Sequence, residues 1–527
     1  MRRLFFLSPL LLILPLAAKD DLENPDTPAG HSFHGEVFNE GPRQAAVLIP
    51  GTGEVHLAVT TDSEEARRFF SQGVGQLHGY WFFEAERSFR QAATLDPDAA
   101  MFYWGMAMAN FTNDTRGRKF IEEAVRHKAG ASPREQLWID GLAAYFRDPK
   151  ADAKKRLQDY VGSLETILER HPDEVEAEVF LLHQVFYNSG KDLPISSHYA
   201  MNLLAEKILT KYPNHPANHF QIHLWDKENP SLALKAAANC GPSAPGIAHM
   251  WHMPGHTYSK LQRYDDAVWQ QEASARVDHA HMIRYRIVPD QIHNFAHNNE
   301  WLIRNLDFLG QHHRAIELAR NMISLPRLAK FKTVNKKEVF DPAGGSWQYG
   351  RQRLRDTLVR YEDWNRLVTL SGDGKDKTAL LHPDGESISE TDYHRYVGLA
   401  KFESGDRSGA AKHLAELEAR LAAKKAERDK AVAAAETKAR ESGKDARAIE
   451  ESKKAAAKNF EKAIIDLENP VQELRVYAAL GANPPDTEKA LALLPKLKDL
   501  PKWRHASLWQ RAGKGSEAIR LAGEAEK

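Results

Sequence analysis

The sequence predicts an all-α chain, an α-solenoid of stacked antiparallel helix pairs, and three observations carry that expectation. From Asp62 onward apolar residues recur at helical spacing almost everywhere. A glycine and a small alanine recur twelve residues apart, at Gly73/Ala85, Gly255/Ala267 and Gly398/Ala410. A turn glycine stands five residues ahead of such an alanine at Gly310/Ala315, Gly405/Ala410 and Gly513/Ala518. Small residues there let two helices cross closely. Units that recur in this way bury their apolar faces only by stacking on one another.

The chain has 527 residues, with 72 basic and 72 acidic side chains and one cysteine. Balanced charge gives no electrostatic case for nucleic acid or an anionic membrane surface. A single cysteine excludes a disulfide framework, CxxC redox chemistry and Cys-rich zinc modules. Residues 1–18 read as a secretory signal peptide: Arg2 and Arg3, an apolar run from Leu4 to Leu16, then Ala17-Ala18. The mature protein is therefore expected in the periplasm or outside the cell. No cysteine follows the run to take a lipid anchor, and no later run is long enough to span a membrane. Cys240 is expected to be a buried lone thiol.

Residues 19–60 form a polar leader, in which Val47-Leu48-Ile49, Pro50-Gly51-Thr52-Gly53 and Val55 to Val59 suggest a short β-hairpin. Residues 61–326 form the main helical array, opened by a Ser63 cap ahead of Glu64-Glu65. In its clearest unit Gly73 and Ala85 are the close-crossing positions, Phe89 fills the contact, and Pro97 ends the second helix. The segments Glu174–Tyr187 and Ser197–Lys211 belong to the same stack. Residues 327–390 link, with loop composition at 327–350 and 371–390; Asp373, Asp376 and Asp384 have no calcium-loop spacing. Residues 391–527 return to helix pairs and carry a charged helical arm at 416–466. Ser442-Gly443 makes the arm either a hairpin of two helices or one broken helix.

These units resemble the tetratricopeptide repeat (TPR), with the best match at residues 70–100. The resemblance implies inner helices whose residues at i, i+3 and i+7 line a concave wall. Fifteen of the 24 histidines fall between His171 and His313. His249, His252 and His256 have the inner-wall spacing; His297, Glu300 and Arg304 have it one unit later, with Asp307 alongside. His215, His219 and His223 share one helical face. Pro254 either puts a helix start near Met253 or kinks the helix. The segments His219-Phe220-Gln221-Ile222-His223 and His252-Met253-Pro254-Gly255-His256-Thr257-Tyr258 are similar to those of a group of exported bacterial TPR-type proteins. That resemblance covers most of residues 56–325 and implies fold and export, not a reaction.

The expected function is an exported scaffold that holds a peptide or protein partner in a concave groove. Its candidate ligand-binding residues are His219, His223, His252, His256, His297, Glu300 and Arg304, between aromatic walls such as Trp225, Trp251, Tyr258 and Trp301. No nucleic-acid partner and no membrane contact after signal cleavage are expected. No catalytic residue is assigned, because Walker A, GxGxxG, GxSxG and HExxH motifs are all missing. No cofactor is predicted; the alternative is a metal-binding protein or metal-dependent enzyme, with Zn or Cu held by His249, His252, His256 and His297. Met250 and Met253 beside them would suit copper. For any single imidazole, a hydrogen bond to a neighbouring helix is the competing role. Any affinity that rests on these imidazoles should change near pH 6–7.

Overall fold

The computed structural model describes residues 45–292, 294–327, 331–334, 337–340, 345–372, 374–384, 387–498 and 500–525. The expected signal peptide and the first part of the leader lie outside them. The described chain is all-α apart from one short hairpin, and it divides into two compact units, residues 1–285 and 286–527. No described helix is long and apolar enough to cross a membrane.

The first unit contains α1 Glu64–His78, α2 Phe82–Leu95, α3 Ala100–Ala109, α4 Asp114–His127, α5 Pro133–Phe146 and α6 Ala153–Arg170. It continues with α7 Val175–Ser189, α8 His198–Lys211, α9 Asn218–Trp225, α10 Leu234–Ser243, α11 Ala248–Lys260 and α12 Tyr264–Tyr285. Helices adjacent in sequence pack together from α1 through α11, and α11 packs closely on α12, so the unit is a stack of TPR-like helix pairs. Phe89 is its best-defined knob. A Cβ on Gly73 in α1 would come within 2.6 Å of its ring, and one on Gly105 in α3 within 2.5 Å. The ring is clamped between two helices that can approach it only because both positions are glycine.

The second unit contains α13 Phe295–Phe308, α14 His312–Ser324, strands β1 Phe331–Val334 and β2 Lys337–Phe340, α15 Ser346–Arg360 and α16 Trp364–Ser371. It ends with α17 Glu390–Glu403, α18 Arg407–Glu441, α19 Ala446–Leu480, α20 Thr487–Leu493, α21 Lys502–Arg511 and α22 Gly515–Ala525. The arm is a hairpin of two 35-residue helices, α18 and α19, reversed at Gly443 with φ 68°. Only Ala410, Leu417 and Ala439 are buried along α18, so intrinsic helix propensity rather than core packing sustains most of its length.

One turn geometry recurs through both units. Tyr80, Gln262, Gly310, Glu362, Gly405 and Gly513 all have positive φ, from 54° to 85°. Each stands five residues ahead of a buried small or apolar residue: Ala85, Ala267, Ala315, Leu367, Ala410 and Ala518. In five of the six turns the next residue's N–H closes back on the carbonyl five positions earlier, as Trp81 does on Gln76 at 2.8 Å and Arg263 on Tyr258 at 2.8 Å. This is the helix-terminating motif that favours glycine. Three of the six turns carry none.

The hairpin expected at 47–59 does not form. Residues 45–61 have no strand pairing and bend at Pro50 and Thr52, and the β-hairpin lies instead at β1–β2, registered Phe331 to Phe340. The reason lies in the backbone hydrogen bonds. Gln72 accepts from the Ile49 N–H at 2.7 Å and donates to the Val47 carbonyl at 3.0 Å. Glu176 accepts from the His56 N–H at 2.6 Å, and Glu135 from the Thr60 N–H at 2.6 Å. Helix side chains take the groups that a partner strand would have used. The segment is a strap held across α1, α5 and α7. It lies so close to α1 that a Cβ on Gly75 would meet the Thr52 carbonyl at 2.1 Å.

Gln262 and Glu362 are exposed in a left-handed conformation that costs a non-glycine residue about 1 kcal/mol. Gln262→Gly and Glu362→Gly should each raise the unfolding free energy by roughly that amount in urea titrations. A loss of stability in both would contradict the turn assignment.

Candidate metal centre

Two helices of the first unit present histidine pairs four residues apart, His219/His223 on α9 and His252/His256 on α11. Within each pair the geometry is the same. The first histidine is fully buried and its Nδ1–H donates to a fixed oxygen: His219 to the His78 carbonyl at 2.7 Å, His252 to Gln271 Oε1 at 2.7 Å. That bond assigns the tautomer and leaves Nε2 as a lone pair. The second histidine then brings its own Nε2 to that lone pair, at 2.9 Å for His223 and 2.8 Å for His256.

The anchor on His252 follows from a glycine. Gln271 projects from α12 and also donates from Nε2 to the His252 carbonyl at 3.1 Å, which fixes its amide. A Cβ on Gly255 would lie 2.2 Å from that nitrogen. The close-crossing glycine of the repeat thus opens the space through which Gln271 reaches the imidazole.

His249, one turn before His252, joins the pairs. Its ring centroid lies 4.7 Å from that of His219, 6.2 Å from His223 and 5.6 Å from His252. The coordinating atoms of His219, His223 and His249 all lie within 4.8 Å of one another. Tyr80 sits among them, with centroids 4.5 Å from His219, 5.4 Å from His223 and 5.5 Å from both His249 and His183. His219 is fully buried, while His223 and His249 are partly buried.

A buried carboxylate supports this arrangement from behind. Glu176 on α7 has no exposure. Besides the strap N–H it accepts from His78 Nε2 at 2.7 Å and His215 Nε2 at 3.1 Å. His215 Nδ1 accepts from the Ala217 N–H at 3.0 Å, so the His215 proton is on Nε2, aimed at the carboxylate. Although His78, Glu176 and His215 also lie within 4.8 Å of each other, both oxygens of Glu176 are taken by N–H donors and all three residues are sealed in. This trio is a hydrogen-bonded strut.

Other residues expected at the groove have defined neighbours. Pro254 lies inside α11, which runs unbroken from Ala248, so His249, His252 and His256 share one helix; the alternative of a start near Met253 is excluded. Met250 and Met253 are core residues, packed in one hydrophobic cluster with Trp81, Ile222 and Tyr258. Tyr258 belongs to that core, and Trp225 is buried with its indole N–H on Asn202 at 2.8 Å. Trp251 lies over Gly241 and donates to the Pro245 carbonyl at 3.1 Å.

His297, Glu300 and Arg304 are on α13 of the second unit. There Glu300 accepts from Arg353 Nε at 2.7 Å, and His297 Nδ1 is 3.7 Å from Glu300. Arg304 stacks 4.3 Å over Trp301. Sequence reasoning missed His78, Tyr80, Glu176, His183 and Gln271. None of the five carries a local signal of its role, since Tyr80 stands where the repeated turn elsewhere has glycine.

Burial pushes the cluster toward neutrality. It lowers the His219 pKa to about 4 and that of His183 to about 3, with neighbouring imidazoles adding to the effect. His223 and His249 are held well below the ordinary imidazole value for the same reasons. Neutral imidazole is the form that binds metal. For Glu176 burial acts upward, but His215 and His78 outweigh it and hold the carboxyl well below its usual range.

No family model and no curated protein matches the chain. Among solved structures it is similar to the human IFIT1 dimer with m7Gppp-AAAA, at 11% identity over 89% of this chain and 90% of that one, TM-score 0.30. It is also similar to a Rap protein complexed with competence and sporulation factor, at 12% identity over 78% and 100%, TM-score 0.29. A third is yeast Tom70, at 11% over 67% and 85%, TM-score 0.24.

The lowered histidine pKa values have a signed consequence for the metal-free protein. A histidine whose folded pKa lies below its unfolded value of 6.5 contributes stability above pH 6.5, and that contribution is lost as pH falls toward the folded value. His219 alone is worth about 3 kcal/mol on this scale, and Glu176 acts in the same direction below its unfolded range. Chelator-treated protein should therefore lose stability steadily from pH 6.5 to pH 4 in denaturant titrations. A midpoint independent of pH over that interval would contradict the assigned protonation states.

Proposed function

We propose that the chain is an exported TPR-like protein whose first unit binds a divalent first-row transition metal, zinc by preference, through His219, His223 and His249. One observation carries the reading: three neutral imidazoles converge from two helices, with His219 oriented by the His78 carbonyl. Three histidines with a further position left for water or ligand are a donor set suited to zinc. The donors are all nitrogen, which suits zinc, copper or nickel better than magnesium or calcium. The reading is metal binding without an assigned reaction. Export rests on the sequence of residues 1–18.

A peptide- or protein-binding role is the second reading. It is favoured by Phe82 and Phe83, which are exposed at the start of α2, with the Phe82 ring stacked 5.6 Å from that of Tyr80. A partner docking there would lie against the imidazole cluster, and the two roles are compatible.

The test uses the full chain after chelation and dialysis. Zn²⁺ or Co²⁺ should bind, and Co²⁺ should give a visible ligand-field spectrum of low coordination number. His223→Ala should weaken binding at this site by at least about tenfold, while His505→Ala in the second unit leaves it unchanged. Absence of Co²⁺ or Zn²⁺ binding by folded protein would end this reading.

A further inference from the structure

We infer that the His252/His256 pair on α11 is a second, separately titrating site for the same class of divalent transition-metal ion, so that the first unit takes two ions. The inference rests on the metal-binding reading of the neighbouring cluster, but a different set of atoms argues for it.

The pair has the two features that distinguish a presented ligand from a packed histidine. His252 is fully buried with its Nδ1–H fixed on Gln271, so its Nε2 lone pair has one direction available. His256 brings its Nε2 to 2.8 Å from it, and the i, i+4 spacing on one helix keeps both on one face. Two histidines at this spacing on a helix are a recurrent half-site for zinc.

The second observation is an orphaned oxygen. Asp226 Oδ1 is buried and accepts no hydrogen bond, although the other oxygen of the same carboxylate is paired with Lys260 at 2.6 Å. Asp226 Oδ1 lies 4.0 Å from His256 Nδ1. With His252 Nε2 as acceptor, the His256 proton sits on Nε2, and the ring donates nothing to Asp226 Oδ1, which stays without a hydrogen bond. A metal ion on His256 Nε2 reverses this. The Nε2 proton leaves, a proton is taken up at Nδ1, and the ring stays neutral with Nδ1–H directed at Asp226. The result is the carboxylate–histidine–metal relay that orients metal-bound histidines and raises their basicity. Metal binding thus resolves a buried polar atom that the metal-free arrangement leaves unsatisfied.

His249 stands between the loci, with its ring 4.7 Å from His219 and 5.6 Å from His252. Two divalent ions on either side of it repel, so the loci should fill in sequence rather than together.

The experiment is a Zn²⁺ titration of the chelated full chain by calorimetry, with metal counted by mass spectrometry after equilibrium dialysis. Two ions per chain are expected, the second bound at least tenfold more weakly. His256→Ala should leave one, and Gln271→Ala, which removes the anchor but no ligand, should weaken one site by 10–100-fold and spare the other. Circular dichroism establishes that each variant is folded. A single ion in the wild type that His256→Ala leaves undisturbed would overturn this inference and preserve the first site. No bound ion at all would overturn both.

Discussion

The geometry of the first unit depends on one buried carboxylate. Glu176 gathers the His56 N–H of the strap, His78 at the end of α1 and His215 in the turn before α9, three segments far apart in the chain. A carboxylate without exposure is tolerated only when donors replace its water, and three N–H groups do so here. The same residue that pairs with Glu176 through its ring, His78, anchors His219 through its carbonyl. The residue that ties the strap to the helices therefore also sets the tautomer of His219. Structural and functional demands meet in one side chain.

This dependence explains what could be read from the sequence and what could not. Three of the recurrent turns were legible because Gly310, Gly405 and Gly513 meet the demand for positive φ with the residue that costs least. The equivalent turns at Tyr80, Gln262 and Glu362 were hidden, since local reading expects glycine there. The strap was misread for a related reason. Val47 to Val59 has the composition of a hairpin, but its hydrogen-bond partners are side chains 23 to 120 positions away, which no local pattern contains. The histidine pairs on α9 and α11 were visible through their spacing, whereas their anchors, the His78 carbonyl and Gln271, were not.

Neutral imidazoles, once buried, are costly to protonate, and this is how the cluster keeps coordinating lone pairs without cationic repulsion. The change expected near pH 6–7 moves to lower pH for His183 and His219, because desolvation outweighs every favourable contact their charged forms could make. Aromatic walls supply that desolvation: Phe220 lies 5.1 Å from His183, and Phe186 lies 4.8 Å from His223.

Tyr80 draws these strands together. Among the non-glycine residues of the six turns, Gln262 and Glu362 are exposed. Tyr80 adopts the same left-handed conformation at φ 54°, and its ring meets those of His183, His219, His223 and His249. Glycine would relax the backbone and leave a hole where four imidazoles lose a common wall. An aromatic ring held at a strained turn, at the point where the coordinating atoms converge, orients the cluster at the expense of local backbone energy. The repeat supplies the turn, and the identity of the residue placed in it ties the turn to the imidazole cluster.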